Sequence, residues 1–138
     1  MARLTLLQSL ETQLKTITPA NGYNTAIGEL VTYWDTYEHD YKGAASVTFR
    51  DVNTDYEWAN TRQTNRLTVE LEAIAFSTKS SKLELSCHLM DDIYQAVCVV
   101  PWWENVIAVR PLSDNKEMDA GGKQAVCVTL TVEIEYRD

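Results

Sequence analysis

The stretch Ala125-Val126-Cys127-Val128-Thr129-Leu130-Thr131-Val132-Glu133-Ile134-Glu135-Tyr136-Arg137 decides the fold class. Val126, Val128, Leu130, Val132, Ile134 and Tyr136 alternate with Cys127, Thr129, Thr131, Glu133, Glu135 and Arg137. Successive side chains of a strand point to opposite faces. A period of two sustained this long predicts an antiparallel strand with one face on a core. Residues 66–77 repeat the pattern. Leu67, Val69, Leu71, Ala73 and Ala75 share one face, and Thr68, Glu70, Glu72, Ile74 and Phe76 the other. That outer face turns apolar at Ile74 and Phe76, which predicts a second contact there.

Two amphipathic helices are expected to cover the inward faces. Residues 3–17 place Leu4, Leu7, Leu10, Leu14 and Ile17 at spacings of three and four, and Pro19 with Asn21-Gly22 stops the helix. The second helix opens at Ser80 or Ser81, and Ser81 with Glu84 has capping-box spacing. Its stripe is Leu85, Leu89, Ile93, Ala96 and Val97, widened by Cys87, Met90 and Val100, and Pro101 ends it. Shorter extended segments are read at 24–34, 46–52 and 105–110, with Gly28 marking a bulge or a close backbone approach. Segments 35–46, 53–65 and 112–124 read as loops or hairpin tips. The predicted architecture is α+β: an antiparallel sheet of about four to five strands, two helices packed on one face, and long loops.

Composition sets the outer limits. A chain of 138 residues suits one domain spanning 1–138, and 45% hydrophobic with 23% charged residues excludes a disordered class. Apolar runs such as Val97-Cys98-Val99-Val100 fall far below the ~20 residues of a membrane span, so no membrane partner is expected. The N-terminus Met-Ala-Arg-Leu-Thr-Leu-Leu-Gln lacks signal-peptide features, which predicts assembly in a cytoplasm. A net charge of -8 argues against sequence-reading nucleic-acid binding, which needs a basic face. Cys87, Cys98 and Cys127 form no CxxC and are expected as buried or half-buried free thiols.

Few residues carry catalytic patterns. His39, in Tyr37-Glu38-His39-Asp40-Tyr41, has no HxH or HExxH spacing and reads as an exposed loop side chain. Cys87, His88, Asp91 and Asp92 form a denser row. His88 and Asp92, four apart, share a helix line, but adjacent Cys87 and His88 diverge by ~100°. Gly-x-Ser-x-Gly and GxGxxG patterns are absent. No catalytic residue, metal ligand or cofactor is assigned. Aromatic residues crowd the loop regions, and Trp34, Tyr37, Tyr41, Tyr56, Trp58, Trp102 and Trp103 are the candidate protein-contact set. Capping of a small core is the alternative for them.

The opening helix leads into Thr-Pro-Ala-Asn-Gly-Tyr-Asn-Thr at 18–25, with the motif Asn21-Gly22-Tyr23-Asn24-Thr25. A long strand, a helix containing Met90-Asp91-Asp92-Ile93-Tyr94-Gln95-Ala96 and a long terminal strand follow. This order resembles the tail-terminator and tail-completion proteins of tailed bacteriophages. The resemblance implies a virion subunit without catalytic activity that assembles into a hexameric ring. Such a ring caps the head-proximal end of the tail tube, stops its elongation and docks the head connector. The implied partners are further copies of the chain, the tail tube protein and the connector or neck proteins, with DNA passing through unspecifically. Two alternatives stand beside it: a head–tail joining (neck) protein, and a small enzyme using Cys87, His88 and Asp92. In a ring, the outward acids Glu70, Glu72, Glu133 and Glu135 are expected on the lumen or an intersubunit face, where they would repel DNA phosphates.

Overall fold

The computed structural model describes residues 2–34, 45–59, 62–76, 81–118 and 125–137. Helix α1 (Ala2–Leu14) is followed by single 3-10 turns at Pro19–Asn21 and Ile27–Glu29 and by a short strand, β1 (Val31–Tyr33). Strands β2 (Ser46–Ala59) and β3 (Arg62–Phe76) form a long hairpin. Helix α2 (Lys82–Tyr94) runs into a π-turn at Gln95–Val99, and β4 (Val106–Met118) with β5 (Ala125–Arg137) closes the chain.

The sheet order is β1-β2-β3-β5-β4. All pairs are antiparallel except β1 with β2, so the sheet is mixed rather than antiparallel throughout. Twelve residues separate Tyr33 from Ser46, about the length that a parallel return requires. The extended reading of 24–34 shrinks to β1, because Ile27–Glu29 turns. Two segments read as loops are strands. Residues 53–59 pair with 62–68 of β3, and residues 113–118 pair with 126–131 of β5. Both lie largely bare to solvent and so carry no burial period.

Leu6, Leu10, Leu14 and Ile17 pack in one core with Leu89, Ile93, Ala96 and Val97 and with the inward residues of β2, β3 and β5. Both helices therefore sit on one face, as expected. Burying each of these leucines and isoleucines contributes about 1.5–3 kcal/mol. The inward stripe of α1 is rotated from its predicted position: Leu6 is buried, whereas Leu4 is exposed and Leu7 half-buried. Cys87 is exposed as well, outside the α2 stripe that it was expected to widen.

Gly28 makes the close approach and not the bulge. Its N–H donates to the Ile17 carbonyl at 2.9 Å, and a Cβ there would lie 2.6 Å from the Leu14 carbonyl oxygen and 2.7 Å from that of Ile17. This contact fastens the chain onto the end of α1. Ser81 does precede α2, but its side chain makes no capping hydrogen bond. At the other end, carbonyls freed by the π-turn find side chains. Gln13 Nε2 donates to the Ala96 oxygen and Trp102 Nε1 to the Val97 oxygen, both at 2.9 Å. Lys116 Nζ donates to the buried Ser86 hydroxyl at 3.2 Å, tethering β4 to α2.

Strands of 13 to 15 residues run roughly 45 Å, whereas each 13-residue helix covers only about 20 Å. Part of the helix-side face is consequently bare. Tyr56 and Trp58, two apart on β2 near its hairpin end, lie there 60% and 67% exposed.

Candidate functional site

The side of the sheet away from the helices carries the predicted acids. Glu70 and Glu72 project from β3, opposite Thr131 and Thr129 of β5, while Glu133 and Glu135 lie opposite Thr68 and Arg66. The flanking strands supply arginines. Arg50 reaches Glu72 at 3.3 Å, and the Arg110 guanidinium bridges Glu133 at 3.3 Å and Glu135 at 2.7 Å. Among the described residues Glu70 has no ion-pair partner. The four acids thus stand in a cross-strand charge lattice, with two arginines offsetting three of them. At one end of this face Ile74, Ala125 and Cys127 are buried together with Phe76 against them, which is the expected apolar contact.

The candidate aromatic set divides by environment. Trp102 and Trp103 are half-buried: the Trp102 indole caps the π-turn, and the Trp103 ring lies 6.3 Å from that of Tyr136. They close the core. Tyr56 and Trp58 stand free on the bare strand end. Tyr37 and Tyr41, together with His39, lie outside the described residues.

Trp34 is held in a built setting. Its φ of 61° is in the left-handed region, which L side chains enter only at a cost. Its backbone N–H donates to the Phe49 carbonyl at 3.1 Å and its indole N–H to Asp51 Oδ1 at 3.0 Å. The Tyr33 hydroxyl donates to the same Oδ1, Arg3 Nε lies 3.6 Å from Oδ2, and Arg3 also donates to the Thr54 hydroxyl. Burial pushes the Asp51 carboxyl up, but hydrogen bonds from Tyr33 and Trp34 and the Arg3 charge outweigh it and hold the group below its ordinary range. The Tyr33 hydroxyl is pushed up, chiefly by its hydrogen bond to Asp51 and then by burial. Arg3 and Asp51 carry no sequence pattern that would single them out; only the fold brings them together. Beside this clamp, Leu4, Leu7, Gln8 and Glu11 of α1 with Tyr33 and Phe49 line an apolar groove of about 310 Å³.

Cys87, His88 and Asp92 are not assembled into a reactive group. Asp92 is only 2% exposed and turns away from solvent. Its Oδ1 accepts the Asn24 backbone N–H at 3.0 Å and the Asn24 side-chain amide at 3.2 Å. Its Oδ2 accepts the Thr25 N–H at 2.7 Å and the Thr25 hydroxyl at 2.6 Å. His88 Nε2 faces Glu84 instead, at 3.9 Å. Burial raises the Cys98 thiol to about 11, far from a reactive thiolate. A polar cleft of about 520 Å³ lies over this junction, lined by Asn21, Tyr23, Asn24, Asp91, Asp92 and Gln95 among others. No cluster of metal-ligating side chains occurs among the described residues.

No protein-family model matches the chain, and no curated protein matches it in sequence. In fold it is similar to a chain from the virion of a native gene transfer agent particle. That likeness covers 94% of this chain and 95% of the other, with a TM-score of 0.65 at 8% sequence identity. At that identity the likeness establishes a shared fold along nearly the whole of both chains.

Proposed function

We propose that this chain, read as one domain over 1–138, is a structural subunit of a tailed-phage virion. Six copies form a ring that caps the head-proximal end of the tail tube, stops its elongation and presents a docking surface to the head connector. It acts by binding and not by catalysis. The observation that carries this reading is the near full-length fold likeness to a chain of a gene transfer agent virion. The sequence adds support, because the two motifs on which the tail-terminator resemblance rests, around Asn24 and around Asp92, meet in the fold through four hydrogen bonds. Exposed Trp34, Tyr56 and Trp58 offer anchors for neighbouring virion proteins. The Glu70, Glu72, Glu133 and Glu135 lattice is proposed for the lumen or an intersubunit face. Its partial neutralisation by Arg50 and Arg110 leaves a mildly repulsive wall for passing DNA.

Negative-stain images of the purified chain mixed with tail tubes test the proposal. Ring density at one end of each tube, with a six-fold mass, is the expected result. A twelve-fold ring seated on the portal would replace the terminator by a neck protein, and absence from both sites would remove the virion reading.

A further inference from the structure

The polar cleft of about 520 Å³ is walled by Asn21, Tyr23 and Asn24 from the turn region before β1 and by Asp91, Tyr94 and Gln95 from the end of α2. The last three stand at i, i+3 and i+4 and so share one helix line. Donors of both walls are spent inward. The Gly22 N–H donates to the Pro19 carbonyl at 3.0 Å, the Tyr23 N–H to the Thr18 carbonyl at 3.3 Å and the Asn24 N–H to Asp92 at 3.0 Å. The side-chain nitrogen of Asn21 donates to the Thr16 carbonyl at 2.8 Å, that of Asn24 to Asp92 at 3.2 Å, and the Gln95 N–H to carbonyls of α2. The Asn21 and Asn24 amide oxygens keep no donor among the described residues. Charge points the same way. Asp91 is exposed and has no ion-pair partner among the described residues, and the four groups that hold Asp92 are all uncharged. No lysine, arginine or histidine occurs among the described residues that line the cleft. Two phenol rings complete it, Tyr23 half-buried and Tyr94 44% exposed.

We propose that this cleft receives the guanidinium of an arginine side chain presented by a partner protein. A wall rich in acceptors and poor in free donors turns away phosphates and carboxylates and suits a ligand that only donates. A guanidinium carries five N–H donors and no acceptor, so one edge pairs with the Asp91 carboxylate while the others reach the amide oxygens. Its flat faces stack on tyrosine rings, whereas a lysine ammonium is a compact, strongly hydrated point charge. Cavities of ~150 Å³ admit a benzene ring, so a cleft of about 520 Å³ has room for a guanidinium and its stem. A divalent cation finds a poor ligand set here: both oxygens of Asp92 are already engaged, and Asp91 is the single free carboxylate on the lining. The inference concerns this cleft alone and does not depend on the ring or its stoichiometry.

The test titrates N-acetyl-arginine methylamide into the isotope-labelled chain at low salt and follows the amide NMR signals of Tyr23, Asn24, Tyr94 and Gln95. Saturable shifts confined to the cleft are expected, with binding at least about threefold tighter than for N-acetyl-lysine methylamide. Asp91→Asn, at an exposed side chain, should weaken binding by about tenfold or more while signals away from the cleft stay in place. Tyr94→Ala, as a second variant, should weaken it by about threefold. Free arginine, spermidine and calcium chloride are titrated beside the capped derivative. Tighter binding of free arginine would assign the cleft to a free amino acid, and equal binding of spermidine or calcium would make it an unselective cation site; either result overturns the proposal. Shifts that do not saturate, or that survive Asp91→Asn unchanged, overturn it as well.

Discussion

The Asp92 carboxylate of α2 accepts both the backbone N–H and the hydroxyl of Thr25, at 2.7 and 2.6 Å, across 67 residues of sequence. With the two bonds from Asn24, every strong acceptor site of a buried carboxylate is engaged. Asp92→Ala takes the acceptor from the Asn24 and Thr25 backbone N–H groups beneath a polar cleft that water can enter, and is expected to cost about 2–3 kcal/mol. Asp92→Asn keeps one acceptor and should cost ~1–2 kcal/mol. Urea unfolding read at its midpoint, with an unchanged slope, checks both values. A loss below about 1 kcal/mol for the alanine variant would mean that the junction is incidental to the fold.

Gly28 sits against backbone, not against the tip of a flexible side chain. Its absent Cβ would fall 2.6 to 2.8 Å from three backbone atoms of Leu14 and Ile17. Neither neighbour can move without unseating the end of α1. Gly28→Ala is therefore expected to destabilise by more than ~2 kcal/mol, as an overpacked core does. Calorimetry should place its melting temperature roughly 5 °C or more below the parent. Gly22, in the left-handed region with open space around it, makes the contrast: Gly22→Asn should cost only about 1 kcal/mol, the backbone strain without any clash.

The Asp51 clamp makes a stability contribution with two pH limits. A carboxyl held below its ordinary value of 3.8 stabilises the fold above that value and loses the contribution as pH falls through the lowered one. The Tyr33 hydroxyl, raised above its ordinary 10.0, stabilises below that value and loses its contribution as pH rises through the raised one. The stability difference between the parent and Asp51→Asn should thus form a plateau of ~1–2 kcal/mol from about pH 5 to 9 and shrink at both ends. A difference that stays flat from pH 2 to 7 would show that the Asp51 charge is not what the clamp uses.

Legibility followed burial. The strand β5 could be read because a half-buried strand writes its two faces into the sequence, and the core confirms Val126, Val128, Leu130, Val132, Ile134 and Tyr136 on the inward side. The far halves of β2 and β4 could not be read in this way. Residues 112–118 are exposed throughout, so their pairing with β5 leaves no mark on composition. On α1 the choice between Leu4 and Leu6 was undetermined, because leucines at 4, 6, 7 and 10 support two overlapping stripes; only docking on the sheet selects one. The exposed aromatics were legible as types, but the Arg3–Asp51–Trp34 arrangement was not, since its members come from three separate elements.

The three thiols should separate by environment. Cys87 is exposed on α2, Cys98 is half-buried within the π-turn with its thiol raised to about 11, and Cys127 is buried in the small apolar cluster of Ile74 and Ala125. Alkylation proceeds through the thiolate. At pH 8 a thiol titrating near 11 is ionised in only about one molecule in a thousand, and Cys127 is only 8% exposed within its apolar cluster. Iodoacetamide applied to the folded chain should therefore modify Cys87 alone, and denaturant should release the other two. Peptide mass mapping reads the outcome. Early labelling of Cys98 at pH 8 would mean that the π-turn opens readily and that the Trp102 cap over the Val97 carbonyl does not hold it closed.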